Sequence, residues 1–118
     1  NNKPITVCLN NPAFESWLAG CRTLCDTYHT TNYPNLPKEN LIADFGSRYV
    51  KISRVSENVD PQTHKPILNS AWAFVDRTSG DVLKPASWRA PAKHSRGNIF
   101  DPQNGLGSIG PYGPAYLR

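Results

Sequence analysis

The residues whose types most clearly suit a binding role lie between Val82 and Phe100, a stretch that contains no acidic residue. Cationic side chains neutralise phosphates, and aromatic planes stack on bases, so this combination is typical of proteins that bind single-stranded nucleic acid. We therefore expect a surface for an anionic partner here, with nucleic acid as the first choice. The candidate contacts are Lys84, Trp88, Arg89, Lys93, His94 and Arg96.

A second basic group lies upstream in the run RYVKISRV, which contains Arg48, Lys51 and Arg54. The alternation of apolar and polar residues in this run predicts a strand with one buried and one solvent-exposed side, and it places Tyr49 and Lys51 on the exposed side. The chain carries 13 Lys and Arg against 9 Asp and Glu, a formal net charge of +4. Because these cations are clustered, we expect them to extend the same positive surface.

Two aromatic residues near the basic segment allow opposite interpretations. Trp72 and Phe74 could join Tyr49 in a stacking platform, but a small domain also needs large buried side chains, which favours the core for both. Proline follows both Lys84 and Ala90, which rules out a continuous recognition helix and favours backbone contact from a loop. One helical turn is predicted at residues 92–97.

Metal binding and catalysis are weakly indicated. Cys21, Cys25 and His29 are spaced at i, i+4 and i+8, and Cys8 could complete a zinc site, but both helix cysteines also occupy core positions. We expect reduced thiols, no metal and no cofactor. Asp76 and Asp81 flank a turn and are expected to cap it. Because no catalytic motif is present, the chain is predicted to be non-enzymatic. A nuclease or hydrolase using these aspartates and His94 is a third alternative.

The segment F-V-D-x-x-x-G-D-V-L-K-P-A-S-W-x-A-P-A-K-x-x-R-G-N-I-F-D, from Phe74 to Asp101, and the ending G-P-Y-G-P-A-Y-L-R resemble small, mostly uncharacterised proteins of tailed bacteriophages. The resemblance covers about the C-terminal third of the chain. It implies a viral source and a location in the cytoplasm of a bacterial host or in the virion. It supplies no catalytic residue.

The patterns predict an α+β domain over residues 1–103, with one long amphipathic helix on an antiparallel sheet of three to five strands. The helix should begin after Asn11 and Pro12. Strands are predicted at residues 4–9, 41–45, 48–55 and in a hairpin over 71–83 that turns at Gly80. Residues 104–118 are rich in glycine, proline and tyrosine, and we expect them to form an extended arm that binds something.

Two functions follow from these patterns. The first is a non-enzymatic protein that binds single-stranded nucleic acid or phosphate backbone. The second is a structural or interaction protein, such as a virion component or a phage factor that binds a host protein through the C-terminal arm.

No apolar run is long enough to span a membrane and no secretory leader is visible, so a soluble chain is expected. The absence of methionine indicates that the initiating residue was removed or lies outside this sequence.

Overall fold

One helix precedes a series of strands in the computed structural model, which describes residues 6–36, 38–110 and 113–114. The elements are α1 (Pro12–Asn32), β1 (Glu39–Phe45), β2 (Tyr49–Val59), β3 (Pro66–Asp76), β4 (Asp81–Pro85), β5 (Pro91–Asn98), a 3₁₀ segment (Pro102–Ser108), β6 (Ile109–Gly110) and β7 (Gly113–Pro114). The fold is therefore α+β, as the sequence predicts.

Helix α1 begins where the sequence predicts. The Asn11 side chain accepts a hydrogen bond from the Phe14 N–H at 3.0 Å, and Pro12 takes the first helical position, where its missing N–H is not needed. The helix ends before Tyr33, whose N–H donates to the His29 carbonyl. No helix within the described ranges is both long enough and apolar enough to cross a membrane. The side of α1 that meets the sheet buries Phe14, Trp17, Leu18 and Cys21.

The strands β1 to β5 form one antiparallel sheet in sequence order, which confirms the predicted antiparallel pairing. Gly80 turns the hairpin between β3 and β4 with a φ of +81°, a backbone conformation that favours glycine. The helical turn predicted at residues 92–97 is wrong, because this stretch belongs to β5, where Ser95 lies opposite Leu83. Pairing with β4 overrides the weak local preference.

The strand predicted at residues 4–9 is not formed in its described part, residues 6–9. Thr6 and Val7 instead donate their N–H groups to the Arg77 carbonyl, each at 2.8 Å, and the Arg77 side chain returns a bond to the Val7 carbonyl. Two bonds to one carbonyl anchor this segment without forming a ladder. Residues 4 and 5 lie outside the described residues.

The two faces of the sheet have different surroundings. Val50, Ile52, Val75 and Val82 pack against α1 in the core. The other face, which we call the outer face, carries the alternate residues Tyr49, Lys51, Phe74 and Leu83, with Lys51 opposite Phe74 and Phe74 opposite Leu83.

A bulge in β3 separates the two aromatic residues that simple alternation would place together. Ile52 lies opposite Ala73 and Ser53 opposite Ala71, so Trp72 is the extra residue in the ladder. Its ring lies 6.4 Å from that of Trp17 in the core, whereas Phe74 is buried on the outer face. Only Trp72 thus fulfils the prediction of packing against the helix.

The described residues after Asp101 pack onto the domain. The Asn104 amide donates to the Ala13 carbonyl at 3.1 Å, Leu106 lies against Gly20 of the helix, and Ile109 and Pro114 are buried. Residues 111, 112 and 115–118 of the predicted arm lie outside the described residues. The division at residue 104 stays a prediction.

Candidate nucleic-acid interface

The centre of the candidate interface is a contact between β2 and the loop that joins β4 to β5. The loop, residues 86–90, is closed by the N–H groups of Ala86 and Ser87, which both donate to the Ala90 carbonyl. It places the ring of Trp88 over Lys51, with 3.2 Å between the ammonium nitrogen and the ring centroid. Trp88 keeps 41% of its surface exposed. A cation so close to an aromatic face is held by the quadrupole of the ring.

The Lys51 ammonium occupies a perturbed electrostatic environment. Partial burial lowers the pKa of Lys51 from its ordinary value of 10.5, the opposed carboxylate of Asp44 counteracts this shift, and the nearby charge of Arg89 adds to it. Asp44 is the cross-strand partner of Lys51 in β1. Two cations and one tryptophan from separate parts of the chain therefore meet at this point, which we call the Lys51–Trp88 site.

Beside this site on the outer face lies Tyr49, whose ring contacts Phe74 and Arg48. Tyr49 stands edge-on to Phe74, with 6.2 Å between ring centroids and an interplanar angle of 81°. The guanidinium of Arg48 lies 5.1 Å from the centre of the Tyr49 ring. Residues 49 and 51 are two positions apart on one strand face, so the two features are separated by about 7 Å.

A groove of about 460 Å³ opens between this aromatic wall and strand β5. Its charges are mixed, because the cations Arg48 and Lys93 line it together with the carboxylates of Asp76 and Asp81. The remaining lining residues are Tyr49, Leu83, Pro91, Ala92 and Ser95.

The two groove carboxylates are held in place through one oxygen each. Oδ1 of Asp76 accepts bonds from the N–H groups of Thr78 and Ser79, the capping role that the sequence predicts. Oδ1 of Asp81 accepts bonds from the Ser95 hydroxyl at 3.3 Å and from the Asn98 amide at 3.1 Å. Within the described part of the chain, the Oδ2 atoms have no hydrogen-bond partner.

Other predicted contacts lie away from the outer face. Arg54 pairs with Glu39 at 3.9 Å and lies opposite Leu41 of the core, on the helix side of the sheet. Lys84 follows Leu83 in β4, and strand alternation directs it to the same helix side.

Arg96 and His94 complete the predicted set. Arg96 lines a separate depression beside the 3₁₀ segment, and its buried Nε lacks a hydrogen-bond partner among the described residues. His94 is exposed on β5. The structure thus gathers five of the nine predicted residues on the outer face, namely Arg48, Lys51, Trp88, Arg89 and Lys93.

The three cysteines considered above as zinc ligands differ in their burial. Cys21 is buried in the core. Its pKa is raised mainly by this burial and to a smaller extent by the neighbouring Cys25. Cys25 is half-buried, and its burial also raises its pKa, although Arg54 opposes the shift. Cys8 is exposed. In residues 6–36, 38–110 and 113–114 no three His, Cys, Asp or Glu side chains come together in a group that could hold a metal ion.

Comparison with known proteins identifies a family but no activity. A model for a family of unknown function, DUF7717, matches residues 18–108, a span that includes most of α1, the whole five-stranded sheet and the 3₁₀ segment. The chain belongs to this family. No curated protein and no solved structure matches it. The DUF7717 match contains every residue of the outer face described above.

Prediction from the sequence missed the central contact of the candidate interface. The alternation in β2 correctly placed Tyr49 and Lys51 on one face, but nothing in the local pattern around Trp88 shows that it folds back over Lys51. Asp44 was also missed, although its register opposite Lys51 follows once β1 and β2 are paired around Gly46.

Proposed function

We propose that the protein binds single-stranded nucleic acid through the outer face of its sheet. The observation that supports this function is the Lys51–Trp88 site. There the partly exposed ring of Trp88 contacts the half-buried Lys51, and the exposed Arg89 lies nearby. Aromatic planes beside cations suit unpaired bases and their phosphates, since any base has a stacking face.

In this proposal Lys51, Arg89 and Lys93 contact phosphates. Arg89 and Lys93 are exposed, and Lys93 and Arg48 both line the groove. The carboxylates of Asp76 and Asp81 repel phosphate at the turn end of the groove. The backbone of the nucleic acid therefore follows the side of the face nearest residues 86–93, and the bases point toward Tyr49.

Trp88 supplies the stacking surface. Lys51 covers one face of its ring, and we assign the 41% of Trp88 that stays exposed to a stacked base. Loss of one base–aromatic stack costs about 1 to 3 kcal/mol, so Trp88→Ala should weaken binding by roughly 5-fold to 150-fold. Trp88→Phe should retain most of the affinity, because it keeps an aromatic plane over Lys51.

The deciding test compares two variants with equal charge. One replaces the outer-face cations Lys51, Arg89 and Lys93 with glutamine, and the other makes the same replacement at Arg54, Lys84 and Arg96, which lie away from the outer face. Each lowers the formal net charge from +4 to +1. Fluorescence anisotropy with a labelled single-stranded oligonucleotide over a salt series should show that the first variant loses binding, whereas the second retains it within several-fold.

The salt series adds a second criterion. For single strands the slope of log affinity against log salt is about −0.7 per neutralised phosphate. Loss of three phosphate contacts should therefore flatten the slope by about 2 in the outer-face variant. Equal losses in both triple variants, or an affinity that does not depend on salt, would show that this face is not the binding surface.

A structural or interaction role is the second proposal. Val59, Ile67 and Leu68, near the turn between β2 and β3, expose 54%, 40% and 48% of their surfaces, which suits contact with a protein partner. We propose the C-terminal arm as a further contact, although Tyr112, Tyr116 and Leu117 lie outside the described residues. Absence of oligonucleotide binding at low salt would favour this second role.

The wider setting is also a proposal. The resemblance of Phe74–Asp101 to tailed-phage proteins supports a viral protein that acts, without catalysing a reaction, in the bacterial cytoplasm or in the virion. The finer architecture that we propose is a long amphipathic helix that covers the sheet, with the Gly/Pro-rich residues 104–118 as an extension.

A further inference from the structure

We infer that the groove beside the Lys51–Trp88 site selects bases that carry an exocyclic amino group, such as cytosine, over thymine or uracil. The inference rests on the proposed function, because it assigns the groove as the position of the base next to the one that stacks on Trp88. The groove volume of about 460 Å³ accommodates one nucleotide.

The spacing of the two positions supports this assignment. Tyr49 and Lys51 are separated by two residues along one face of β2, which corresponds to about 7 Å. Adjacent nucleotides of an extended single strand are separated by a comparable distance. Because Trp88 lies over Lys51, a strand with one base on the exposed side of Trp88 runs beside the Tyr49 ring, whose orientation is fixed by Phe74, and its next base can reach that ring.

The selectivity comes from the free oxygens of the two carboxylates. Asp76 and Asp81 use Oδ1 for the turn and for β5, while their Oδ2 atoms have no partner in the described residues. A carboxylate oxygen accepts a hydrogen bond from the cytosine amino group, whereas it repels the carbonyl oxygen that thymine presents at the same position.

Charge in the groove is arranged for such a ligand. Arg48 and Lys93 line it together with the two aspartates, so a nucleotide can place its phosphate near the cations and its amino group near the carboxylates. A purely cationic groove would not distinguish bases, and a purely acidic one would exclude the phosphate.

The test measures the affinities of oligo-dC and oligo-dT of equal length for the intact chain. Both are pyrimidine strands with the same charge, so phosphate contacts contribute equally. We expect oligo-dC to bind about 10-fold more tightly, the discrimination of one good hydrogen-bonded base contact. Equal affinities with normal salt dependence would overturn the base-selective groove but leave the proposed function intact. Absence of binding to either strand would overturn both.

Substitution by asparagine tests the same atoms without removing the turn bonds. In Asp76→Asn and Asp81→Asn the amide oxygen can still accept the existing bonds, while the free position becomes an N–H donor that suits thymine. The dC-to-dT affinity ratio should fall to 1 or below in either variant. An unchanged ratio in both would contradict the inference.

Asp60→Asn is the matched control. Oδ1 of Asp60 also accepts backbone bonds in a turn, from Gln62 at 2.7 Å and Thr63 at 3.4 Å, but Asp60 does not line the groove. It makes the same change in charge and chemistry. The affinity for both strands should rise slightly, and the dC-to-dT ratio should stay at the wild-type value.

Discussion

Lys51 illustrates how one side chain depends on three neighbours. It lies under Trp88, opposite Asp44 and close to Arg89, and its pKa is lowered because burial outweighs the attraction of the carboxylate. The sequence predicts that Lys51 lies on a solvent-exposed strand face in a run that also contains Arg48 and Arg54. It could not show that a tryptophan 37 positions later covers the ammonium, since that contact depends on how the β4–β5 loop folds back.

The titration of Lys51 gives a prediction at this scale. Arg89→Gln should raise the pKa of Lys51 toward 10.5, because a repelling charge is removed, and Asp44→Asn should lower it further. NMR titration of the Lys51 side-chain signals measures both shifts. Shifts in the opposite direction, or no difference between the variants, would contradict the arrangement.

The same pKa shift has a consequence for stability with a definite sign. Because the folded pKa lies below the unfolded value, the unfolded chain binds more protons between the two values. The free energy of unfolding should therefore gain from Lys51 as pH rises through this alkaline window. Urea denaturation of wild type and Lys51→Met at several alkaline pH values should show that the substitution removes this gain.

At the scale of single elements, the N-terminus of α1 depends on Asn11. Its Oδ1 accepts the Phe14 N–H, and its Nδ2 donates to the Thr6 carbonyl at 3.0 Å. Asn11→Ala should lower the free energy of unfolding by about 1 to 2 kcal/mol, as measured by urea denaturation. Asn32→Ala, which removes an exposed bond to Tyr28 at the other helix end, should cost clearly less.

The 3₁₀ segment gives a second element-scale prediction. Gly105 has a φ of +70°, and a Cβ there would collide with the Asn98 backbone. Gly105→Ala should destabilise the domain by about 1 to 3 kcal/mol. Gly107→Ala is the control, because a Cβ at Gly107 meets only a distant side-chain oxygen. Equal denaturation midpoints for the two variants would contradict the observed backbone.

Prediction from sequence succeeded for elements with strong local signals. The Asn11–Pro12 cap and the glycine at position 80 specify their helix start and turn through local backbone chemistry. It failed where pairing decides the outcome. Residues 92–97 join β5 because β4 is available as a partner, and the bulge that directs Trp72 to Trp17 arises from the register between β2 and β3.

At the scale of the whole molecule, the sheet divides the predicted cations into two groups. Arg48, Lys51, Arg89 and Lys93 lie on the outer face, whereas Arg54 lies on the helix side. The linear sequence shows two basic groups and does not show which of their members share a face, because alternation and strand order act only after folding. The sequence therefore predicted a face that carries cations, but neither which cations lie on it nor the carboxylates of Asp44, Asp76 and Asp81 beside them.

The C-terminal residues contribute to the stability of the whole domain. Ile109 and Pro114 are buried, and Leu106 lies against the helix. Deletion of residues 104–118 should therefore lower the free energy of unfolding by at least about 2 kcal/mol, the value for one buried aliphatic side chain. Urea denaturation measures the loss, and unchanged stability would show that this packing is dispensable. Such a deletion consequently cannot serve as a clean test of an interaction arm.

The three thiols differ in a way that is useful in the laboratory. Cys21 is enclosed in the core, the raised pKa of Cys25 keeps it protonated, and Cys8 is exposed ahead of the helix. Only thiolates react readily with maleimides, and access is required as well. The native chain should therefore accept a single fluorophore at Cys8, and the onset of labelling at the other two positions would report when the helix separates from the sheet.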